Sequence, residues 1–345
     1  MGHDEVLSES EARRPTIYDV AKASNVSPST VSRAFSKPGR VSTGTADRIR
    51  RVADELGYHH APQPRAKPTS KTGMLAVVVA DLANPFFVDI IQGARKEASV
   101  HRTTVLVIDA QESLDDERDA VERVAPLVDG IVLATSRMSE SAIRAVARQT
   151  ALVVLNRPMP DVPSAVTDNA RGMHLAVEHL AGLGHRTFTY LAGPEASWAD
   201  SMRWRSISQA ATDRGVRVRR LGPSAPTAEG GAAAVTGFLA RPSTAVVAYN
   251  DLMAMGFIEE LAARGIRTPD DVSVIGFDDS TDRRFGDPML TTVAVQHRLL
   301  GRFAVQMLLG QRIAPAGRPA MLAAELVVRR STATPAEGLP RRLAS

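Results

Sequence analysis

Between residues 16 and 36 the apolar positions recur at helical spacing in two short segments. The first follows Thr16, which can cap a helix together with Asp19, and four of its residues share one face: Ile17, Val20, Ala21 and Ser24. The second begins with Ser27 and Pro28, a cap and a first-turn proline, and turns three residues inward: Val31, Ala34 and Phe35. Asn25 tolerates the left-handed conformation of a tight turn. The pattern predicts a helix-turn-helix.

A third amphipathic helix is predicted directly after this pair. Ser42 can cap it, Gly57 can end it, and its apolar stripe contains Ile49, Val52, Ala53 and Leu56. The three helices would form a compact unit, whose second helix turns Ser29, Thr30 and Arg33 outward. A polar outer face of this size fits the major groove of DNA, whereas an ordinary helical pair with a solvated face is the alternative.

From Met74 onward, apolar runs typical of strands alternate with amphipathic stretches typical of helices. The predicted strands are 74–80, 104–108, 130–134, 152–155, 188–192, 244–248 and 272–276. The predicted helices are 86–100, 113–127, 139–149, 170–182, 199–213, 229–240, 251–264 and 297–310. Because the runs are almost continuously apolar, the strands should be parallel and buried on both faces. The alternation predicts a doubly wound α/β architecture and leaves open whether it contains one sheet or two.

Positive charge is concentrated near the N-terminal end of the chain. Residues 13–72 carry 12 Lys and Arg against four Asp and Glu, a net charge of +8, whereas residues 73–345 carry 30 of each sign. A basic head on a neutral body is the electrostatic pattern of a protein that binds nucleic acid. A membrane-surface role would require bulky apolar residues opposite the charges of a basic helix, a pattern that the sequence lacks.

The composition excludes several further classes. The chain of 345 residues has no cysteine, which excludes disulfides, thiolate metal sites and a cysteine nucleophile. No apolar run approaches the roughly 20 residues of a membrane span. The first 15 residues are polar and acidic, without the hydrophobic region of a signal peptide. We therefore expect a cytoplasmic protein.

The motifs of common α/β enzymes are not found in the sequence. It contains neither a G-x-x-x-x-G-K-[ST] phosphate loop nor a G-x-S-x-G nucleophile elbow. Gly182 and Gly184 lack the third glycine of a dinucleotide loop. A helix would scatter His174, His179 and His185 around its surface, which favours packing or surface roles over metal binding. We expect no catalysis, no cofactor and no metal.

The order of short motifs along the chain resembles one known family. The runs DVAKASNVSPSTVSRAF and GRVSTGTADRIRRVADELGY resemble the DNA-binding head of the lac repressor (LacI/GalR) family of bacterial transcription regulators. The likeness covers about residues 15–330 and continues in order through LANPFF (82–87), VDGIVLA (128–134), LNRP (155–158), TDNARG (167–172), HLAGLGHR (179–186), YNDLMAMG (249–256), VIGFDD (274–279) and LTTV (290–293). It implies an N-terminal all-α helix-turn-helix head and an α/β core like that of periplasmic binding proteins, with two doubly wound parallel-sheet subdomains.

Pattern and resemblance together predict the domain organisation. Residues 1–14 are expected to form a disordered tail, 15–58 the helix-turn-helix DNA-binding domain, and 59–73 a proline-rich hinge. Residues 74–330 are expected to form the effector-binding and dimerisation core. Its two subdomains would comprise about 74–166 with 294–323, and about 167–293 with 324–330. Residues 331–345 are expected to form a flexible tail.

The residues expected to contact DNA lie on the first two helices and in the hinge. Ser29 and Arg33 are the candidates for base edges, because arginine to guanine is the commonest base contact. The candidates for phosphates are Thr16, Tyr18, Ser27 and Thr30, with Pro28 at the start of the second helix. The resemblance implies a hinge helix that inserts a leucine into the minor groove, and Lys67 stands at that position. Because Pro64 and Pro68 disfavour a helix, we expect an extended hinge in which Lys67 contacts the groove electrostatically and the operator bends little.

Ligands of open α/β sheets bind at the carboxyl ends of the strands. Asp278 ends the apolar run VIGFD and Asn250 ends AVVAYN, although both could simply cap the segments that follow. The resemblance implies that both contact an effector, together with Leu82, Phe86, Asn156, Trp198 and Arg203; for Phe86 and Trp198 a core position is the alternative. Polar groups would bind hydroxyls and rings would cover CH faces, a chemistry that suits a sugar.

The expected function is that of an effector-controlled transcription regulator, in the first place a repressor. It would act as a homodimer whose two heads read a roughly palindromic operator in double-stranded DNA. The expected effector is a sugar or a related metabolite in the cleft between the subdomains. A small-molecule binding protein without DNA regulation and an enzyme of sugar or nucleoside metabolism are the alternatives.

Overall fold

The computed structural model describes residues 16–36, 41–56, 71–280, 289–312 and 318–336. The chain divides into two compact units, Met1–Thr69 and Ser70–Ser345. Several of the sequence predictions lie outside the described residues: the tail 1–14, most of the hinge with Lys67, and the last residues of the C-terminal tail.

The described part of the first unit consists of α1 (Ile17–Ala23), α2 (Pro28–Ser36) and α3 (Thr43–Glu55). At the start of α1, the N–H and hydroxyl of Thr16 donate to Asp19 Oδ2 at 2.7 and 2.6 Å. Asn25 takes the left-handed conformation, with φ 50°, between α1 and α2. Ser27 Oγ caps α2 by accepting the N–H of Thr30 at 3.2 Å. These contacts confirm the predicted helix-turn-helix.

A small apolar core holds the three helices together. It is formed by Val20, Ala21, Val31, Ala34, Ala46, Ile49 and Ala53, with Phe35 and Val52 packed against it. The predicted inward faces of α1 and α2 are therefore confirmed. Leu56 is the exception among the positions predicted to be buried: α3 ends at Glu55, and Leu56 is 40% exposed.

The second unit contains two sheets flanked by helices. The described strands are β1 (Met74–Val79), β2 (Thr104–Asp109), β3 (Gly130–Leu133), β4 (Ala151–Leu155), β5 (Ser164–Thr167), β6 (Thr187–Leu191), β7 (Arg217–Leu221), β8 (Ala245–Ala248), β9 (Ser273–Asp278), β10 (Thr291–Ala294), β11 (Ala320–Leu322) and β12 (Glu325–Val327). The helices are α4 (Pro85–Val100), α5 (Leu114–Val124), α6 (Glu140–Ala147), α7 (Asn169–Gly182), α8 (Trp198–Asp213), α9 (Ala228–Leu239), α10 (Asp251–Ala263) and α11 (His297–Leu308). None of these described helices is long and apolar enough to cross a membrane.

The strands form two six-stranded sheets with the orders β11-β5-β4-β3-β1-β2 and β12-β10-β9-β8-β6-β7. Neighbouring strands are parallel throughout, except for the antiparallel pair of β10 and β12. We call the part built on β1–β5 and β11 the N subdomain and the part built on β6–β10 and β12 the C subdomain. The chain passes between them after β5, β10 and β11. The predicted pair of doubly wound parallel sheets is confirmed.

Each continuously apolar strand contributes side chains to two hydrophobic cores, one on either face of its sheet. In β1, Leu75, Val77 and Val79 belong to one buried cluster, and Ala76 and Val78 belong to another. Successive side chains of a strand point to opposite faces, so a sheet covered by helices on both faces requires a run without polar residues. Because the strand interiors are apolar, polar residues occur mainly at the strand ends, next to the space between the two sheets.

The sequence pattern missed the strands β5, β7, β10, β11 and β12. Four of them, β5, β10, β11 and β12, have only three or four residues, too few for a periodic signal. β7 reads RVRRL and lies at the edge of its sheet, where polar side chains are tolerated. β10 contains the buried threonines Thr291 and Thr292, whose hydroxyls are hydrogen-bonded within the C subdomain.

The segment after Ser331 is fixed over its first residues. Ser331 Oγ donates to the Val274 carbonyl at 2.6 Å, and His179 Nε2 lies 2.9 Å from Thr332 Oγ1. His185 Nε2 lies 3.0 Å from the Ala333 carbonyl oxygen. The expectation of a flexible tail beginning at Ser331 is therefore wrong for residues 331–333. Hydrogen bonds to buried groups hold this segment in place. Such contacts require no regular spacing of apolar residues, so the sequence pattern does not reveal them.

Candidate functional site

The N-terminal end of α2 carries a cluster of hydroxyl groups. Ser27 Oγ lies 2.8 Å from both Ser29 Oγ and Thr30 Oγ1. Ser27 and Ser29 are exposed, and Thr30 is half-buried. Because the first N–H groups of a helix carry partial positive charge, hydroxyls at this end are well placed to bind phosphate oxygens.

The other predicted head residues surround this cluster in sequence. Arg33 is exposed one turn after Ser29, so the two side chains share a face of α2. Tyr18 on α1 is 69% exposed. Thr16 and Pro28 are half-buried at the starts of α1 and α2. Lys67 lies outside the described residues.

In the second unit a cavity lies between the two subdomains, at the carboxyl ends of the strands. It contains about 400 Å³ of space, part of it open to solvent. The lining residues come from both subdomains: Asn84, Phe86, Phe87, Glu112, Thr135, Arg137, Asn156, Ala199, Arg203, Pro226, Tyr249, Asn250 and Asp278. We call this space the cleft.

Arg203 is the most constrained side chain of the cleft. Its Nε donates to Asn169 Oδ1 at 2.9 Å, and its Nη1 donates to the Tyr249 carbonyl. The guanidinium lies 3.5 Å from the centre of the Phe277 ring. Its Nη2 lies 3.6 Å from Asp278 Oδ1. With these contacts and 6% exposure, Arg203 has one fixed orientation before any ligand binds.

Asp278 offers an unused acceptor at the carboxyl end of β9. The residue is 4% exposed, and its Oδ1 has no hydrogen-bond partner. Its φ of 120° is unusual for a residue other than glycine, and backbone strain of this kind often marks a functional site. Burial raises the pKa of the Asp278 carboxyl well above its usual range, and Arg203 opposes this shift. A ligand hydroxyl could donate to Oδ1.

Asn250 combines capping with a place in the cleft. Its Oδ1 accepts the N–H of Met253 at 2.9 Å, which caps α10. Its Nδ2 donates to the Pro226 carbonyl at 2.9 Å. The capping interpretation therefore describes Asn250 well. Asn156 also lines the cleft; it takes φ 58° after β4, and its Nδ2 donates to the Ala134 carbonyl at 3.3 Å.

Of the three apolar residues predicted to contact the effector, Phe86 lines the cleft, whereas Leu82 and Trp198 do not. Phe86 lines the cleft and packs edge-on against Phe87 and His297, with ring centres 4.8 and 4.7 Å apart. Leu82 is 41% exposed and does not line the cleft, because Asn84 caps α4 and directs the following phenylalanine inward instead. Trp198 does not line it either; the next residue on α8, Ala199, does so.

Sequence reasoning missed an ion pair in the N subdomain. Arg137 Nη2 donates to Glu112 Oε2, and the Arg137 side chain is only 8% exposed. Burial alone would lower the pKa of Arg137, but Tyr249 and Glu112 raise it overall. Glu112 follows β2 and Arg137 follows β3, so the strand-end argument marks both positions, although it does not show that their side chains meet.

A buried carboxyl group supports the loop that carries Arg137. Glu117 on α5 is 3% exposed, and its Oε2 accepts the backbone N–H of Arg137 at 2.8 Å. Burial raises the pKa of Glu117, while Ser136 and the Arg137 N–H stabilise its charged form. Among the residues that the structure describes, no group of three or more His, Asp or Glu is arranged to hold a metal ion.

Comparison with known proteins agrees with both units. A family model described as "Bacterial regulatory proteins, lacI family" matches residues 16–61, and one described as "Periplasmic binding protein-like domain" matches residues 177–332. The chain is 32% identical over 329 residues to the HTH-type transcriptional repressor CytR of Escherichia coli (strain K12). That alignment covers 92% of this chain and 96% of CytR.

Solved structures of similar fold span both units as well. The complex of the transcriptional regulator CelR with cellobiose is 28% identical, with a TM-score of 0.67, and the match covers 92% of this chain and all of that chain. The lac repressor dimer bound to operator and the anti-inducer ONPF is 26% identical, also with a TM-score of 0.67, over 93% of this chain and 100% of that chain.

Proposed function

We propose that this chain, which belongs to the lacI family of bacterial regulatory proteins, is a repressor controlled by a small molecule that binds in the cleft. It is a DNA-binding transcription regulator. The observation that carries the small-molecule part is the buried Arg203–Asp278 pair, in which one carboxylate oxygen has no hydrogen-bond partner. Buried polar groups are almost always hydrogen-bonded, so an unused acceptor in a cavity points to a ligand.

The proposed effector is a sugar or a related metabolite. Asp278 would accept hydrogen bonds from its hydroxyls, and Arg203 would donate from its fixed position. Phe86 would cover an apolar face of the ring, with Asn156 and Asn250 at the edge of the site. The complex of the related CelR with cellobiose supports this chemistry. We assign no catalytic step to the cleft and no cofactor, and we propose a cytoplasmic location.

For DNA, we propose that α2 enters the major groove. Ser29 and Arg33 would contact base edges, while Thr16, Tyr18, Ser27 and Thr30 would bind backbone phosphates. The exposed Tyr18 ring and the hydroxyl cluster at the start of α2 support this division. Two heads of a homodimer would then read a roughly palindromic operator, as the dimeric lac repressor structure with operator suggests.

Arg33→Ala is expected to cost roughly 1–3 kcal/mol of operator affinity and to relax base preference at one position in each half-site. The reason is that Arg33 is exposed on the same face as Ser29 and has the reach to bind guanine in the major groove. Fluorescence anisotropy with the operator and with single-base variants would measure both effects.

Thr30→Ala is the comparison for Arg33→Ala. A phosphate contact carries no sequence information, so this variant should weaken specific and non-specific DNA to the same degree. Unchanged affinity and unchanged base preference in Arg33→Ala would show that the groove assignment is wrong.

A direct experiment tests the proposed function as a whole. Footprinting of the upstream region of the chain's own gene and of neighbouring genes should reveal a protected palindrome. A thermal-shift screen of sugars, nucleosides and purines should reveal an effector, because a ligand at 100 times its Kd stabilises the native state by about 2.7 kcal/mol. A ligand without any footprint would favour the alternative of a small-molecule binding protein without DNA regulation.

Control of DNA binding requires that the effector distinguish two arrangements of the subdomains. Because the cleft is lined from both sides, a ligand that contacts Asp278 and the N subdomain together would favour one closure state. The change in operator affinity can be no larger than the difference in effector affinity between the two states.

A further inference from the structure

Each subdomain contributes one arginine–carboxylate pair to the cleft. In the C subdomain, the side chains of Arg203 and Asp278 are 7% and 6% exposed. In the N subdomain, the side chains of Arg137 and Glu112 are 8% and 26% exposed. Among the described residues that line the cleft, every arginine therefore has an acidic partner.

The N-subdomain pair is held from behind on both sides. Gln111 and Glu112 take φ angles of 50° and 56°, a conformation that residues other than glycine and asparagine rarely adopt. A hydrogen bond from the Glu112 N–H to the Ala80 carbonyl, at 2.6 Å, holds this turn. Glu117 fixes the backbone of Arg137 at 2.8 Å. The backbone on both sides of the Glu112–Arg137 pair is therefore fixed, so the pair is preorganised.

The two arginine–carboxylate pairs determine how much net charge the cleft presents to a ligand. A buried guanidinium without a partner is a strong site for a carboxylate or phosphate, whereas a guanidinium already bound to a carboxylate offers little to a second anion. Among the buried side-chain atoms of the described residues that line the cleft, Asp278 Oδ1 and Thr135 Oγ1 lack a hydrogen-bond partner, and both can accept from a ligand hydroxyl.

We propose that Glu112 determines ligand specificity by neutralising Arg137, which restricts the cleft to uncharged ligands that carry hydroxyl groups. This inference rests on the proposed function, because it concerns the effector of the same cleft. Thr135 would add a hydrogen bond from the N subdomain. Loss of the Glu112 charge should turn the Arg137 side of the cleft into an anion site.

The test is the variant Glu112→Gln, which keeps the shape of the side chain and removes its charge. In the full-length protein, 10 mM inorganic phosphate should raise the unfolding midpoint of the variant by about 3 °C or more over chloride of equal ionic strength, relative to the wild type. The wild type supplies the baseline, because the basic head and the general stabilising effect of phosphate are common to both proteins. If Glu112→Gln does not fold, Glu112→Ser is measured in the same way.

Two further variants locate the effect. Glu178→Gln removes the same charge from a half-exposed pair with Arg214 outside the cleft, and it should behave like the wild type. The double variant Glu112→Gln, Arg137→Met should lose the response to phosphate.

The outcomes separate this inference from the proposed function. A response specific to Glu112→Gln that disappears with Arg137→Met supports the inference. The inference is overturned if phosphate does not raise the unfolding midpoint of Glu112→Gln above that of the wild type. It is also overturned if phosphate stabilises the wild type and the single substitution Arg137→Met abolishes that stabilisation. The proposed function depends instead on whether neutral sugars or nucleosides stabilise the wild type, which the same thermal-shift plate measures.

Discussion

Asp278→Asn is expected to lower effector affinity about 100-fold, since a charge-assisted hydrogen bond contributes roughly 1.5–3 kcal/mol and each 1.4 kcal/mol is tenfold in affinity. An asparagine presents one carbonyl oxygen and an NH2 group that can only donate, so the variant loses one acceptor oxygen and the negative charge. The ion pair with Arg203, at 3.6 Å in the wild type, is lost as well. Calorimetry with the ligand from the thermal-shift screen would measure the affinity.

The fold and operator binding should survive this substitution. Arg203 keeps its hydrogen bonds to Asn169 and Tyr249 and its position on the Phe277 ring. The control is Asp168→Asn, which removes the same charge from a helix cap outside the cleft, where asparagine caps equally well. If Asp278→Asn binds the effector with wild-type affinity, Asp278 has a structural role and the site assignment fails.

The alternation of strands and helices could be predicted from the sequence because the central strands are buried on both faces, whereas the number of sheets followed from the family resemblance. A run such as Leu75–Val79 carries no polar residue, so its length and boundaries are visible without any knowledge of its neighbours. The same contrast marks where a run ends in a polar residue, as it does at Asp278. That is why the best cleft candidates could be placed from the sequence.

The side chains that enter the cleft from loops could not be predicted in the same way. Gln111 and Glu112 both take a left-handed backbone conformation, which directs the Glu112 side chain toward Arg137. Neither residue type favours this conformation, so the sequence does not indicate it. Leu82 and Trp198 do not line the cleft, for a related reason. A cap at Asn84 or Ser197 sets the start of a helix, and a shift of one residue decides which side chain points inward.

A buried carboxyl group behind Asp278 was also beyond the sequence pattern. Asp251 is fully buried; its Oδ1 accepts the Thr292 hydroxyl at 2.6 Å and its Oδ2 accepts the Ser280 N–H at 2.9 Å. Gly276 makes room for it, since a Cβ there would lie 2.2 Å from Asp251 Oδ1. The turn after β9, which presents Asp278 to the cleft, is therefore anchored by Asp251.

Burial raises the pKa of Asp251 from 3.8 to about 7, against the stabilising hydrogen bonds from Thr292 and Ser280. A carboxyl group whose pKa is raised on folding contributes stability that is fully present below its unfolded pKa. That stability is lost as the pH rises through the folded pKa. The window set by these two values is pH 4 to 7, and the loss is of the order of 4 kcal/mol.

Asp251→Asn is expected to remove this pH dependence, because the amide does not titrate. The free energy of unfolding of the wild type, minus that of the variant, should therefore fall by about 4 kcal/mol between pH 4 and pH 7. Urea unfolding across this range would measure it, with Asp278→Asn in parallel to separate the two neighbouring carboxyl groups. Identical pH profiles for the wild type and Asp251→Asn would mean that Asp251 does not titrate in this window. In that case its two hydrogen bonds would outweigh its burial, and the turn that presents Asp278 would rest on an ionised carboxylate throughout.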